Sequence, residues 1–279
     1  MIQIDELVVR YGAVTAVDSL SLNIAQGARF GLLGPNGAGK TSTISCIAGL
    51  LTPSAGHIRV QGIDVSSRPD EVRRAIGLVP QSLALYPSLS LLENLKIFGG
   101  LMGLGGRKLR ERVGFALELA QLESKRDARV EQLSGGMKRR LNLAASLLHE
   151  PRIVICDEPT TGVDPQSRNH IFETIRRLQQ QGTTVVYTTH YMEEVEALCD
   201  EVAIIDHGQI IAHDKLATLL APPTTPTGFV MRLEQPTDVA SVEHALAAAG
   251  HSVACLQTTP RTLEEVFLEL TGRQLREAE

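Results

Sequence analysis

The chain has 279 residues, 27 Lys+Arg against 32 Asp+Glu, a net charge of −5 and 43% hydrophobic residues. That apolar content is too high for disorder over the bulk of the chain and fits one large domain, or a domain with an appendage. The acidic balance argues against a protein that wraps nucleic acid, and the longest apolar run, residues 245–249, falls far short of the roughly 20 residues that span a bilayer.

Met1-Ile2-Gln3-Ile4-Asp5-Glu6 has neither a basic segment nor an apolar signal core, so the chain is expected to stay in the cytoplasm unless a partner holds it at a membrane. Residues 2–10 read as a strand. Residues 28–33 form a short apolar strand that ends in a Gly-rich turn, and 41–49 then look helical. Residues 57–61 and 76–80 read as further strands, and helical patterns dominate from 91 to about 148. Buried strands follow at 152–156, 184–188 and 201–206, and Gly208 turns the chain into 209–212 as in a hairpin. Strands that do not alternate, separated by helices, imply a parallel sheet covered by helices. Pro222, Pro223 and Pro226 mark a linker. Beyond it, 229–233, 239–249, 252–256 and 263–270 suggest a small strand–helix–strand–helix unit, and residues 223–279 carry 4 Lys+Arg against 8 Asp+Glu. Cys46, Cys156, Cys199 and Cys255 make no C-x-x-C unit and are expected to be reduced and mostly buried.

Gly34-Pro35-Asn36-Gly37-Ala38-Gly39-Lys40-Thr41 matches G-x-x-x-x-G-K-[ST] in full, after a strand and before a helix. Such glycines let successive N–H groups point inward, and with the helix N-terminus behind them they form an anion hole. Lys40 is expected to reach the β- and γ-phosphates of a nucleotide and the Thr41 hydroxyl to ligate Mg²⁺, with Ser42 also counted among the binding residues. Ile153-Val154-Ile155-Cys156-Asp157-Glu158 is a buried strand ending in two carboxylates. Asp157 is expected to hold Mg²⁺ through water and Glu158 to polarise a water in line with the γ-phosphate.

Gln132-Leu133-Ser134-Gly135-Gly136-Met137 closely resembles the signature motif of ATP-binding-cassette (ABC) proteins. Ser134, Gly135 and Gly136 before a helix make a second anion-binding N-terminus. The resemblance implies that this motif caps the ATP held by a second copy, in a head-to-tail sandwich dimer. It also assigns Tyr11 to stacking on adenine, Gln81 to contacting Mg²⁺ and the attacking water, Asp164 to the D-loop region and His190 to the switch position. Over residues 2–220 it implies an α/β fold: a P-loop NTPase cassette with a mostly parallel core sheet, an antiparallel β subdomain and a helical subdomain. The expected boundaries are a cassette at 1–221, with its helical part at about 82–150, a linker at 222–227 and an α+β appendage at 228–279.

Met137 and Val163 stand where many relatives have Gln and Leu, and the run Leu133-Ser134-Gly135-Gly136-Met137-Lys138-Arg139-Arg140-Leu141 resembles cassettes paired with ABC-2-type export permeases, as does the tail Thr262-Leu263-Glu264-Glu265-Val266-Phe267-Leu268-Glu269-Leu270-Thr271-Gly272. The implied protein is an ATPase on the cytoplasmic side of the cell membrane, peripheral through an integral permease of ABC-2 type. The permease would dock on the segment after Gln81, where Leu83-Ala84-Leu85-Tyr86-Pro87 and Ile97-Phe98 lie. The competing reading is a soluble cassette ATPase acting on nucleic acid or the ribosome. Against it, Lys40 and Asp157 are only 117 residues apart with no heptad arm between them, and the chain holds one cassette. A P-loop kinase would not need the signature motif. The basic stretch Arg107-Lys108-Leu109-Arg110-Glu111-Arg112 is expected to be a solvated helix face.

Overall fold

The computed structural model describes residues 1–221, 239–248, 263, 266 and 267. Its main sheet has six strands: β3 (Arg29–Leu33), β6 (Ile76–Val79), β7 (Ile153–Asp157), β8 (Thr184–Thr189), β9 (Glu201–Asp206) and β10 (Gln209–Lys215). Their order is β10-β9-β3-β8-β7-β6, parallel except for the β9–β10 hairpin. Every residue of β7 and β8 is buried, which is why neither strand alternates polar and apolar side chains. A second, antiparallel sheet has the order β2-β1-β4-β5 and is built from β1 (Ile2–Tyr11), β2 (Val14–Ile24), β4 (Ala55–Val60) and β5 (Ile63–Asp64).

Strand β2 is absent from the sequence reading. Its buried residues Val17, Leu20, Leu22 and Ile24 are thrown out of strict alternation at Ser19, which has φ 51°, and the β1–β2 ladder has three register shifts. The first core lies between this sheet and α1 (Lys40–Ile47), and α2 (Pro69–Ala75) adds Val72 to it. The second core lies on the other side of the parallel sheet, under α6 (Pro165–Gln180) and α7 (Met192–Leu198), and α8 (Leu216–Leu219) packs at its margin.

The third core holds together α3 (Leu91–Leu101), α4 (Gly106–Ala120) and α5 (Gly135–Ser146). Helix α3 starts with a capping box in which Ser90 and Glu93 satisfy each other's backbone N–H. Buried Asn94 accepts from Tyr86 N–H and donates to the carbonyls of Tyr86 and Ser90, which pins the segment after Gln81 to the helical part. In the basic stretch, Arg112 is not a solvated side chain. It is 11% exposed and donates to the carbonyls of Leu147 and Leu148 at the C-terminal end of α5. Lys108 pairs with Glu150 at 2.6 Å.

Cys46, Cys156 and Cys199 are buried free thiols, as expected, and burial pushes Cys46 up to about 11 and Cys156 to about 12. Cys255 and the strands expected at 229–233 and 252–256 lie outside the described residues, whereas the expected helix at 239–249 is α9 (Val239–Ala248). Among the described residues no helix is long and apolar enough to cross a membrane.

Leu263, Val266 and Phe267, spaced as one helix face, are buried in the second core, and Leu263 N–H donates to Glu196 of α7. Phe267 is 1% exposed. Phe267→Ala should therefore cost about 3–5 kcal/mol and lower the unfolding midpoint of the whole chain. An unchanged thermal melt would show that this side chain is not part of that core.

Candidate functional site

The parallel register brings four strand ends to one edge of the sheet. Leu33 of β3 pairs with Thr189 of β8, Asp157 of β7 with Thr188, and Val79 of β6 with Cys156. The segments leaving these ends carry the Gly-rich loop, Glu158, His190 and Gln81, so residues far apart in sequence meet at the carboxyl edge, where open α/β sheets bind ligands.

Close backbone approach makes glycine necessary in the loop. Gly39 has φ 107°, and a Cβ there would lie 2.5 Å from the Ala16 carbonyl; at Gly34 a Cβ would lie 2.2 Å from that of Ile205. Helix α1 begins at Lys40 without a side-chain cap, which leaves its first-turn N–H groups available to an anion. A cavity of about 340 Å³ is lined by Ala16, Asn36, Gly37, Gly39, Lys40, Thr41, Ser42, Gln81 and Glu158.

Lys40 is buried. Its Nζ donates to the carbonyls of Gly34 (2.8 Å) and Pro35 (3.0 Å) and lies 3.1 Å from Glu158 Oε1. Glu158 Oε2 accepts from Gln81 Nε2 at 3.2 Å and from Thr161 Oγ1 at 3.3 Å, and His190 Nδ1 lies 3.4 Å from it. Burial would raise the Glu158 carboxyl, but Lys40 and then His190 outweigh it and hold the group below the usual glutamate value. Glu158 has φ 45°, uncommon for a residue with a side chain, and its N–H is held by both the carbonyl and the hydroxyl of Thr188. Buried Asp157 accepts from Thr41 Oγ1 at 2.9 Å on one oxygen and from Thr188 Oγ1 at 2.6 Å on the other. Tyr11 is 53% exposed, with its hydroxyl 3.4 Å from Ser42 Oγ.

Tyr11, Asp157 and His190 reach this cavity through Ser42, Thr41 and Glu158, whereas Ser134, Gly135, Gly136 and Asp164 neither line it nor bond to a residue that does. Ser134 caps α5 by accepting from Met137 N–H, and Asp164 caps α6 by accepting from Ser167 N–H, which lowers the Asp164 carboxyl. The two caps touch: a Cβ on Gly136 would lie 2.1 Å from Ser167 Oγ and 2.5 Å from Asp164 Oδ2. The expected site residues thus fall into two groups on one chain, a cavity group and a cap group.

A family model described as ABC transporter matches residues 17–161. The linearmycin resistance ATP-binding protein LnrL of Bacillus subtilis (strain 168) is 40% identical, over 99% of this chain and 100% of its own. This chain belongs to the ABC transporter family. The Nod factor export ATP-binding protein I of Ralstonia nicotianae is also 40% identical, over 99% of this chain and 95% of its own. Among solved structures, a dimeric ATP-binding cassette in a post-hydrolysis state with ADP and Pi has a TM-score of 0.71 and 26% identity, covering 77% of this chain and 99% of that one. The two-sheet cassette with its helical part is the fold that the motifs implied.

Three residues of the cassette site escaped the sequence reading. Ala16 lies on the unread strand β2. Thr188, which orients both Asp157 and Glu158, is one threonine in the run Thr188-Thr189. Arg139, buried, donates to the carbonyls of Pro80 (3.2 Å) and Gln81 (2.7 Å) from the signature helix; a basic residue in a Lys-Arg-Arg run gives no sign of burial.

Glu158 ionises more readily folded than unfolded. Its pairing therefore stabilises the cassette fully above the ordinary value of 4.5 and is lost as pH falls through the lower folded value. Thermal unfolding followed between about pH 3 and pH 6 should show a shallower acid decline in Glu158→Gln than in the parent chain. Identical profiles would mean that the Lys40–Glu158 pair makes no such contribution.

Proposed function

We propose that this cassette binds and hydrolyses ATP to drive export through a separate membrane permease, with Lys40, Thr41, Asp157, Glu158, Gln81 and His190 as its working residues. The observation that carries the reading is that Lys40, Thr41, Gln81 and Glu158 line one cavity behind a glycine-bent loop and a helix N-terminus, with Asp157 bonded to Thr41 and His190 beside Glu158. The loop's N–H groups and Lys40 bind the β- and γ-phosphates. Tyr11, exposed beside Ser42, supplies a ring for adenine.

Thr41 and Asp157 present two hard oxygens in contact, a set suited to Mg²⁺, which keeps most of its waters and needs no protein cage. Among the described residues no three His, Cys, Asp or Glu side chains cluster as a cage. Bound there, Mg²⁺ would neutralise phosphate charge. Glu158 accepts the proton of the attacking water, and Gln81 and His190, both at its Oε2, orient that water and the γ-phosphate. Lys40 is shared between Glu158 and any phosphate. As the phosphate takes over the ammonium, Glu158 loses its nearest positive charge and becomes a stronger base.

The cap group serves a second copy. A helix N-terminus headed by Ser134 that does not line its own chain's cavity is available to the ATP of a partner, which supports a head-to-tail sandwich. The expected division also stands as our proposal: cassette 1–221, linker 222–227, appendage 228–279. For the permease, an apolar groove lined by Ala84, Phe98, Leu101, Met102, Pro80 and Leu78 lies beside Gln81, with Leu101 73% exposed and Leu83 and Tyr86 partly so. This supports docking at the cytoplasmic membrane face. The names of the relatives support export, and the resemblance of the tail supports a permease of ABC-2 type.

Glu158→Gln should keep nucleotide binding but slow hydrolysis by roughly 10²-fold or more, and should accumulate as an ATP-dependent dimer in size-exclusion chromatography. Adding Ser134→Arg should abolish that dimer. If the dimer forms and Ser134→Arg leaves it intact, the sandwich is wrong. A tagged chain drawn from native membranes should bring down a multi-span membrane protein, and Leu101→Glu, a charge in the groove, should reduce that recovery. Recovery of ribosomes or DNA with no membrane protein would favour the competing reading.

A further inference from the structure

Behind the cavity lies a further buried carboxylate that no step above uses. Glu194 of α7 is 1% exposed. Its Oε1 accepts from Thr160 Oγ1 at 2.7 Å and lies 3.1 Å from Arg168 Nε, whose N–H is not aligned for a hydrogen bond. Its Oε2 accepts from the Tyr187 hydroxyl at 2.9 Å and from Thr189 Oγ1 at 2.8 Å. These groups come from three segments around the reaction. Thr160 is two residues after Glu158, Tyr187 and Thr189 end the strand that delivers His190, and Arg168 lies on the helix capped by Asp164.

Thr189 is the link to His190. Its hydroxyl donates to Glu194 and accepts from Tyr191 N–H at 3.0 Å, so the residues on both sides of His190 are tied to one carboxylate. A buried carboxylate is costly, and an apolar side chain would fill the same space without that cost. What the charge adds is direction: each donor has one acceptor position to aim at. Burial and the Glu194 charge push the Tyr187 phenol well up, which keeps it a donor.

We propose that Glu194 is a positioning residue for hydrolysis, holding His190 and the segment after Glu158 in register with each other. The proposal rests on the ATPase reading above. A glutamine at 194 would have the right size but would turn an NH₂ toward donors on one side. Arg168 cannot accept, and the Thr189 proton would lose its acceptor if the NH₂ faced Oε2.

The test uses the full chain, with steady-state hydrolysis and the binding of a fluorescent ATP analogue measured side by side. Glu194→Gln should lower kcat by about 10-fold or more and leave the nucleotide Kd within about threefold. In a His190→Ala background the same change should lower kcat by less than about twofold, because both act at one point. Thr189→Val should reproduce the loss and Thr189→Ser should restore activity, a comparison that stands even if the position-194 variant folds poorly. Multiplicative losses in the double variant, a matching loss of nucleotide binding, or full activity in Thr189→Val would each overturn the proposal. A parent chain that hydrolyses no ATP would instead defeat the functional reading on which it rests.

Discussion

The site depends on the register of a parallel sheet. Four strands run the same way and end level, with Leu33 opposite Thr189 and Asp157 opposite Thr188. Because side chains alternate along a strand, a slip of one residue in β7 would turn Asp157 away from Thr41 and break their hydrogen bond. Strands β7 and β8 are held against such a slip by being buried along their whole length, with one core on each face. The hydrophobic interior thus fixes the carboxylates to within hydrogen-bonding distance of their partners. The geometry of the active edge is set by the packed layer behind it.

At that edge one cation is surrounded by acceptors. Lys40 is held by two carbonyls and by Glu158 in a buried setting, where unpaired charge is expensive. Under the proposed function, phosphate would compete with Glu158 for the ammonium, so filling the site and raising the basicity of Glu158 would be the same event. Glu158 would be a weak base while the site is closed on itself and would gain strength when substrate charge arrives. This arrangement suits an enzyme that must not act before its nucleotide is seated.

The parts legible in the sequence were the contiguous ones. Gly34-Pro35-Asn36-Gly37-Ala38-Gly39-Lys40-Thr41 announces itself because the residues that shape the turn are consecutive, and residues 153–156 because a strand buried on both faces is apolar along its run. Strand β2 was not legible, since Ser19 and the bulges opposite it break the alternation by which a half-buried strand is recognised. Glu194 was hidden for another reason. On a short helix beginning Met192-Glu193-Glu194 an acidic side chain reads as solvent-facing, and its donors come from Thr160, Arg168, Tyr187 and Thr189, which only the fold assembles. The exposed-looking Arg112 failed likewise, because the carbonyls it caps are supplied by α5. Short-range chemistry is written in the order of residues, whereas buried polar networks are written in topology.

The same topology joins the two halves of the molecule through α5. Its N-terminus carries Ser134 and packs Gly136 against the side chains of Asp164 and Ser167 at the cap of α6, so the signature turn and Asp164 cannot separate without opening that close contact. One turn further along, Arg139 reaches back to the carbonyls of Pro80 and Gln81. A buried guanidinium whose hydrogen bonds go to two carbonyls of one segment loses more by leaving it than an exposed one would, because a buried donor left unpaired is costly. Any rotation of α5 must therefore carry Gln81 with it, or break those bonds. Gln81 in turn donates to Glu158. Ser134 at the head of α5 is thus connected, through Arg139 one turn on, to the segment whose amide contacts Glu158. The cavity group and the cap group are joined within one chain by a continuous path of packing and hydrogen bonds.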